Sequence, residues 1–260
     1  MPRYCIELAY DGSGFSGWQM QPGEITVQAC LQEALTNLLR TDIELTGCGR
    51  TDTGVHAAYF VAHFDTDVLF DILCLPDRLN RYLKHNIRVF SIQPVASGFH
   101  ARFSAEKREY RYYIALKKQP FLSQYSWYQP YDFDIEAMQH ACKALVSYND
   151  FTSFSKLHSG AKTNICKVES AAWHRHNDVL VFSISADRFL RNMVRAIVGT
   201  MVEVGKNKIS VEGFCAIIES RNRSNSGQSV PGKALFLTDV QYPPDLFSKT
   251  RSYCSIFGAI

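Results

Sequence analysis

Gly-Cys-Gly-Arg-Thr-Asp-Thr-Gly-Val-His-Ala, residues 47–57, is the stretch around which the first half of this chain is organised. An apolar run at 43–45 leads into it and an apolar segment at 59–64 follows it, which predicts two strands joined by a loop. Three glycines allow this loop positive φ angles and a close approach to a ligand. The loop also sets the carboxylate of Asp52 two residues from the guanidinium of Arg50.

A single carboxylate in such a loop has few possible roles. Asp52 lacks the several oxygen ligands that a hard metal cation requires. It could act as a nucleophile or a general base held by Arg50, or it could cap a backbone amide in an ordinary turn. The four residues Gly-Arg-Thr-Asp alone favour the turn, so the choice depends on the rest of the chain.

The segments around the loop predict an α+β unit. Alternating residues from Tyr4 to Asp11 are typical of a half-buried strand. Apolar residues at helical spacing predict an amphipathic helix over about 26–39, with Thr26 as its N-cap. A short helix near 77–83 and a strand at 87–90 complete a unit whose sheet is mostly antiparallel.

A second unit repeats this order of elements. Strands are predicted at 109–116, 168–175, 179–185 and 234–240, with a hairpin turn at His176-Asn177-Asp178. Helices are predicted after Asp134, from Phe189 to Met201, and from Ser210 to about Glu219, and 220–233 reads as an exposed loop. We therefore predict an α+β fold with two halves, 1–103 carrying the Asp loop and 104–260, whose mainly antiparallel sheets flank a central cleft.

Composition excludes several classes of protein. Of the 260 residues 46% are hydrophobic and 20% are charged, which is ordinary for a globular protein. The eight cysteines contain no C-x-x-C pair, so zinc-site spacing is absent. Cys30 and Cys142 fall on apolar helix stripes, as expected of buried thiols in a reducing cytoplasm. With no signal peptide and no apolar run long enough to cross a bilayer, a cytoplasmic protein without a membrane or metal partner is expected.

The positions of the basic residues are more informative than the net charge. The formal net charge is only +3, which is weak evidence for a nucleic-acid partner. One basic cluster surrounds a tyrosine-rich stretch and another recurs at helical spacing, although either could be an ordinary solvated face. The first cluster is Arg102, Lys107, Arg108 and Arg111, and the second is Arg188, Arg191 and Arg195.

Several motifs along the chain match one known family. Besides 47–57 they are 10–19, 99–105, 110–112, 149–154 and 189–199. In content and order they resemble the TruA family of tRNA pseudouridine synthases over nearly the whole chain, a far stronger signal than one short pattern. Two departures stand out: Thr53 replaces the usual alanine, and Glu109 stands where a basic residue is common.

This resemblance implies a fold, an activity and partners. The fold would be the pseudouridine synthase fold, built of two RRM-like halves. The activity would be isomerisation of uridine to pseudouridine at positions 38, 39 and 40 of the tRNA anticodon stem-loop. The enzyme would act as a homodimer on tRNA, with no cofactor and no metal.

The resemblance also implies roles for particular residues. Asp52 would be the nucleophile and Arg195 its ion-pair partner, while Tyr110 would stack on the uracil and relay a proton. Sequence leaves open whether Asp52 attacks C1′, attacks C6 or removes a sugar proton. From the residues alone, Tyr110 could equally be a packing tyrosine and Arg195 a surface arginine. The tRNA would be held by Arg50, His56, Arg102, Lys107, Arg108, Arg111, Arg188 and Arg191.

Two other functions compete with this one. A non-catalytic RNA-binding protein with paired RRM-like halves would keep the basic residues but would not need Asp52. A carboxylate-dependent glycosidase normally uses two carboxylates on either side of the bond, and the motif supplies only one. Both alternatives fit the sequence less well than the pseudouridine synthase.

Overall fold

The computed structural model describes residues 1–84, 86–156 and 163–247. They form a mixed α/β protein with a mostly antiparallel sheet. The chain divides into two compact units. The first unit is Met1–Lys107 with Leu237–Ile260, of which Phe247 is the last described residue, and the second is Arg108–Phe236. The halves 1–103 and 104–260 divide the chain differently, since they leave the final strand with the second half.

The first unit contains four sheet strands in the order β4-β1-β3-β9, a short strand β2 that pairs with β3, and two helices. Strand β1 lies antiparallel to β3, with Tyr4 opposite Phe64, and antiparallel to β4, with Ile6 opposite Ile92. The elements are β1 Arg3–Tyr10, α1 Val27–Leu39, β2 Thr46–Gly47, β3 His56–Asp65, α2 Leu75–Tyr82, β4 Ile87–Val95 and β9 Leu235–Gln241.

Strand β1 is buried more completely than its alternation predicted. Glu7 faces what should have been the solvent side, yet it is 0% exposed. Its carboxylate accepts hydrogen bonds from the hydroxyls of Tyr59 and Ser91, each at 2.6 Å. The half-buried reading is therefore wrong on this face, because polar residues of the neighbouring strands cover it and pair with the acid.

Helix α1 confirms the predicted cap. The Thr26 hydroxyl accepts a hydrogen bond from the amide of Ala29 at 3.3 Å. Leu31 and Leu35, one turn apart, are fully buried. The predicted strand at 43–45 is wrong by a few residues, since only Thr46–Gly47 pair with β3. Ile43 and Leu45 are nevertheless buried, so the apolar run reflected packing rather than strand pairing.

The second unit has the strand order β5-β8-β7, with β6 paired in parallel to β5. Asn177, at φ +54°, turns the predicted hairpin between β7 and β8. Helices α3 and α5 begin where predicted, after Asp134 and Ser210, whose side chains accept hydrogen bonds from the amides of Ala137 and Gly213. The elements are β5 Lys107–Ala115, β6 Trp127–Tyr128, α3 Ile135–Val146, β7 Val168–His176, β8 Val179–Ala186, α4 Met193–Gly205 and α5 Val211–Glu219.

Helix α4 begins later than its apolar pattern predicted. Asn192, at φ +69°, is left-handed and ends the preceding turn, so Phe189 lies outside the helix. Arg188 and Arg191 consequently do not share a helical face with Arg195. Phe189 and Leu190 have the spacing of the apolar residues in α4, but they precede the helix.

Two further expectations concern the described residues. Among them, no helix is long and apolar enough to span a membrane. The seven cysteines in this part of the chain are thiols; Cys142 is buried and Cys30 is half-buried. Cys254 lies outside the described residues.

Candidate active site

Asp52 lies in a tight turn between β2 and β3. The amide of Val55 donates to the carbonyl of Asp52 at 3.1 Å, and Gly54, third in the turn, has φ +73°. A glycine at positive φ in this place is the pattern of a type II turn. Thr53 occupies the second position, which accepts most residues, and its side chain is exposed. The departure from alanine at Thr53 is therefore compatible with the turn, while the carboxylate-bearing residue is half-buried.

The loop at 11–18 supports this turn through two glycines. A Cβ added at Gly12 would lie 2.1 Å from the carbonyl oxygen of Val55, and one at Gly17 would lie 2.3 Å from that of Thr51. Gly17 also has φ +88°, where residues with a Cβ are strained. The two loops thus touch backbone to backbone on both sides of Asp52, at a distance that only glycine permits.

Aromatic side chains pack next to the residues that precede and follow the turn. The indole of Trp18 stacks on Phe60 with ring centroids 4.0 Å apart, and a Cβ at Gly47 would lie 2.6 Å from that indole. The amide of Trp18 donates to the Thr51 carbonyl at 3.2 Å. The hydroxyls of Thr51 and Tyr10 are hydrogen-bonded at 2.9 Å. Thr51 was not predicted as a site residue, although its place beside Asp52 in the motif was a signal for a positioning role.

His56, predicted to contact tRNA, is only 1% exposed. Its Nδ1 lies 3.0 Å from the amide of Gly12 and 3.0 Å from Oδ1 of Asp11. The neutral ring accepts the Gly12 hydrogen bond, whereas a protonated ring would pair with the Asp11 carboxylate. Within the first unit His56 therefore ties the 11–12 backbone to the start of β3.

Tyr110 stands on β5 of the second unit, opposite Ile184 of β8. Its ring is half-buried and meets Phe189 edge to face, with centroids 5.0 Å apart and an interplanar angle of 86°. This contact fixes the ring plane. Tyr110 can therefore both pack on Phe189 and take part in an active site, because the contact with Phe189 fixes the ring in one orientation before a substrate base binds.

Arg195 lies in the first turn of α4 and is half-buried between the buried Val194 and Ala196. Its Nε donates to the carbonyl of Val230 at 2.7 Å, and the Val230 amide donates back to the Arg195 carbonyl at 3.3 Å. A cation is disfavoured at the positive end of a helix dipole and in a partly buried position. Both effects call for an anionic partner.

The segment that holds Arg195 was predicted to be an exposed loop. Instead residues 226–230 pack on α4: a Cβ at Gly199 would lie 1.9 Å from the Gln228 carbonyl oxygen. The Gly227 amide donates to the Thr200 hydroxyl at 2.9 Å, and Val230 is buried. Paired small residues at 199 and 227 were the available sequence signal for this close contact.

The other predicted tRNA contacts are basic residues with different surroundings. Arg111 forms an ion pair with Glu109 at 3.2 Å on one face of β5, which accounts for that acidic departure as a local, half-exposed pair of modest strength. Arg108 donates to the carbonyl of Asp187 at 2.6 Å. Arg50, Arg102 and Arg191 are exposed, whereas Lys107, Arg108, Arg111 and Arg188 are half-buried.

Each unit supplies different chemical groups. The first unit presents Asp52 on a braced turn, and the second unit presents an oriented Tyr110 and Arg195. Among the described residues no group of three or more histidine, cysteine, aspartate or glutamate side chains could hold a metal ion.

Comparison with known proteins gives a consistent result. A family model described as tRNA pseudouridine synthase matches residues 141–243. A protein from Parabacteroides distasonis called tRNA pseudouridine synthase A is 51% identical over 95% of this chain and 98% of its own. A protein of the same name from Bacteroides thetaiotaomicron is 50% identical over 96% of this chain and 94% of its own. A solved protein of unknown function from Galdieria sulphuraria matches with a TM-score of only 0.22 at 10% identity, covering 80% of this chain and 93% of its own.

Proposed function

This chain belongs to the tRNA pseudouridine synthase family and isomerises uridine to pseudouridine in tRNA, and we propose that it does so at positions 38, 39 and 40 of the anticodon stem-loop with Asp52 as its nucleophile. The reaction breaks the N1–C1′ bond and joins C5 to C1′, while C5 loses a proton and N1 gains one. Because the reaction involves no net oxidation or reduction and transfers no phosphoryl group, it requires no metal, nucleotide or redox cofactor.

The observation that carries the role of Asp52 is the bracing of its turn. Gly12 and Gly17 contact the backbone on both sides of it, and the 52–55 hydrogen bond closes the turn. A reacting group must be held within a fraction of an ångström of its productive position to be effective. A carboxylate with only a capping role would not need two contacts that exclude every residue except glycine.

Arg195 is our proposed counter-charge for Asp52. A neighbouring cation favours the ionised carboxylate, which is the form that reacts. The Val230 carbonyl orients the guanidinium through Nε, and a guanidinium has further N–H donors for a carboxylate. The burial and helix position of Arg195 support such a pairing, since both penalise the cation without an anion.

Tyr110 is proposed to stack on the displaced uracil and to relay the C5 proton through its hydroxyl. The edge-to-face contact with Phe189 leaves the ring plane defined before substrate binds. The RRM-like halves of this proposal are 1–103, which carries Asp52, and 104–260, which carries Tyr110 and Arg195.

The tRNA is proposed to lie across a homodimer in the cytoplasm. Its phosphates would be gripped by basic residues, which offsets the few kcal/mol needed to flip the target base out of its stack. Arg50 and His56 would hold the nucleotide at the Asp52 loop, His56 acting through the backbone it braces. The other contacts would come from Arg102, Lys107, Arg108, Arg111, Arg188 and Arg191.

The decisive experiment follows the C5 hydrogen. Purified protein is incubated, without added cofactor, with an unmodified tRNA anticodon arm carrying tritium at C5 of uridine. Wild type should release tritium into water, and Asp52→Asn should release none while keeping its fold and its tRNA affinity. Asp42→Asn, which changes an exposed carboxylate ten residues earlier, is the matched control and should behave as wild type.

Other outcomes reject parts of the proposal. Tritium release by Asp52→Asn would exclude Asp52 as the nucleophile. Binding without release by wild type, on an arm containing all three positions, would favour the non-catalytic RNA-binding protein.

A further inference from the structure

Phe103 is 75% exposed, although it lies in a turn that is held by several hydrogen bonds. The amide of His100 donates to the Ser104 hydroxyl at 3.0 Å, and the amide of Ser104 donates to the His100 carbonyl at 2.9 Å. Phe99, at the start of the same turn, is fully buried. The turn is therefore anchored in the core at one end and presents an aromatic ring to solvent at the other.

Two histidines support the exposed ring from below. The rings of His63 and His100 lie 4.9 Å apart, and the rings of His100 and Phe103 lie 4.3 Å apart at 35°. His100 Nδ1 accepts hydrogen bonds from the amides of Arg102 and Phe103, at 3.1 and 3.2 Å. His63 Nδ1 accepts one from the amide of Ala101 at 3.2 Å. The column of rings is thus fixed in advance by backbone contacts.

Two arginines lie beside this column. The guanidinium carbon of the exposed Arg102 lies 5.5 Å from the centre of the Phe103 ring, whereas Arg3 is ion-paired with Asp65 at 2.7 Å. Burial and the charge of Arg3 lower the pKa of both histidines, that of His63 to about 4, and Arg102 further lowers that of His100. The rings are therefore neutral near pH 7, and Arg102 is the exposed cation next to Phe103.

From this geometry we propose that Phe103, supported by His100 and flanked by Arg102, is a stacking site for an unpaired nucleobase of the bound RNA. Single-stranded bases are commonly held on exposed aromatic rings beside arginine. The exposed Arg102 guanidinium beside the ring favours a base, which arrives with its phosphate, over an apolar surface of a second protein copy. The inference rests on the proposed function for the identity of the RNA, and it assigns to Phe103 a role in binding rather than in chemistry.

The test compares four proteins on an unmodified tRNA anticodon arm: wild type, Phe103→Ala, Phe103→Tyr and Phe121→Ala. Phe121 is the matched control because it is 95% exposed on a short turn but lies in the other unit. Dissociation constants are measured by filter binding between about 50 and 200 mM salt, where phosphate contacts produce a steep dependence. Sedimentation velocity gives the oligomeric state of each variant.

We expect Phe103→Ala to bind about ten-fold more weakly at every salt concentration, since one base stack is lost without a phosphate contact. Phe103→Tyr should stay within about two-fold of wild type, because the ring is kept. Phe121→Ala should bind as wild type. This combination would support the stacking site.

Three results would overturn it. Phe103→Ala could bind as tightly as Phe121→Ala; the salt slope could fall by about one, which would indicate a lost phosphate contact instead; or Phe103→Ala could dissociate the oligomer, which would place the ring in a protein interface. Tritium release by wild type is recorded in parallel. Its absence would count against the proposed function, whereas the affinity ratios judge the stacking site independently.

Discussion

Single residues set the geometry of the Asp52 turn, above all the glycines that contact its backbone. We expect Gly17→Ala to lower the rate of pseudouridine formation by about a hundred-fold, since the added Cβ must displace the Thr51 carbonyl and with it Asp52. Gly14→Ala is the control: it also has positive φ, at +80°, but its Cβ would meet nothing within 4 Å. Both should lose about 1–2 kcal/mol of folding stability from the φ angle.

Tritium release and thermal unfolding of the two alanine variants separate position from stability. If Gly14→Ala lost as much activity as Gly17→Ala, the contact with Thr51 would not be what matters.

His63 gives the fold a defined pH dependence. Burial, the charge of Arg3 and, once it is protonated, His100 lower its pKa to about 4, whereas a histidine in an unfolded chain titrates near 6.5. Between those values the unfolded chain binds more protons, so folding stability is fully present above about pH 6.5 and falls towards pH 4. The loss by pH 4.5 should be about 2 kcal/mol.

The check is urea unfolding of wild type and His63→Gln at pH 7 and pH 4.5. Glutamine retains an acceptor for the Ala101 amide but cannot gain a proton, so its midpoint should change less with pH. The paired carboxylate of Asp65, whose pKa is lowered, loses its contribution only below its ordinary value of 3.8. An equal pH dependence in both proteins would contradict the assignment.

At the residue scale, sequence led to a specific hypothesis for Asp52 and misjudged the environment of Glu7. The motif at 47–57 is local and nearly complete, so a role for Asp52 could be proposed from it, and that role stays a prediction. Glu7 was misread because alternation along one strand says nothing about the neighbours that cover its second face. Tyr59 and Ser91, whose hydroxyls donate hydrogen bonds to the Glu7 carboxylate, are 52 and 84 residues away in sequence.

At the scale of elements, the contact between α4 and residues 226–230 controls Arg195. Gly199→Ala places a Cβ 1.9 Å from the Gln228 carbonyl, so the segment carrying Val230 must shift and the guanidinium with it. We expect the turnover number to fall by about ten- to a hundred-fold, with tRNA affinity nearly unchanged.

The matched control is Gly213→Ala on α5. There the nearest atoms to an added Cβ are at ordinary distances of 3.6 and 3.7 Å, and alanine should stabilise the helix by roughly 0.5 kcal/mol. Single-turnover kinetics and filter binding on both variants provide the comparison. A weaker affinity with an unchanged turnover number in Gly199→Ala would show that the segment serves RNA binding instead.

The cap at Thr26 and the starts of α3 and α5 were predicted correctly and the start of α4 was not, for one physical reason. Thr26, Asp134 and Ser210 each bond an amide three residues on, so the signal is contained in the local sequence. Asn192 adopts a left-handed conformation, and neither periodicity nor composition reveals that choice. The docking of 226–230 depends on two glycines brought together in space, which a single sequence hints at only through residue size.

At the scale of the whole molecule, charge placement should matter more than the total of +3. We expect tRNA affinity to fall steeply with salt, and Arg191→Ala to reduce the slope of log affinity against log salt by about one. Arg191 is exposed and belongs to the proposed tRNA contacts. Arg81→Ala, an exposed arginine on α2, is the control and should leave the slope unchanged; equal slopes in both would remove Arg191 from the RNA surface.

The discontinuous first unit has a consequence during protein synthesis. Strand β9, the neighbour of β3, leaves the ribosome only after nearly all of Arg108–Phe236 has been made, a delay on the order of ten seconds at ordinary rates of protein synthesis. For that time the nascent chain carries a strand edge that other chains could join. The contiguous second unit can fold first, so the unit that carries Asp52 is completed last.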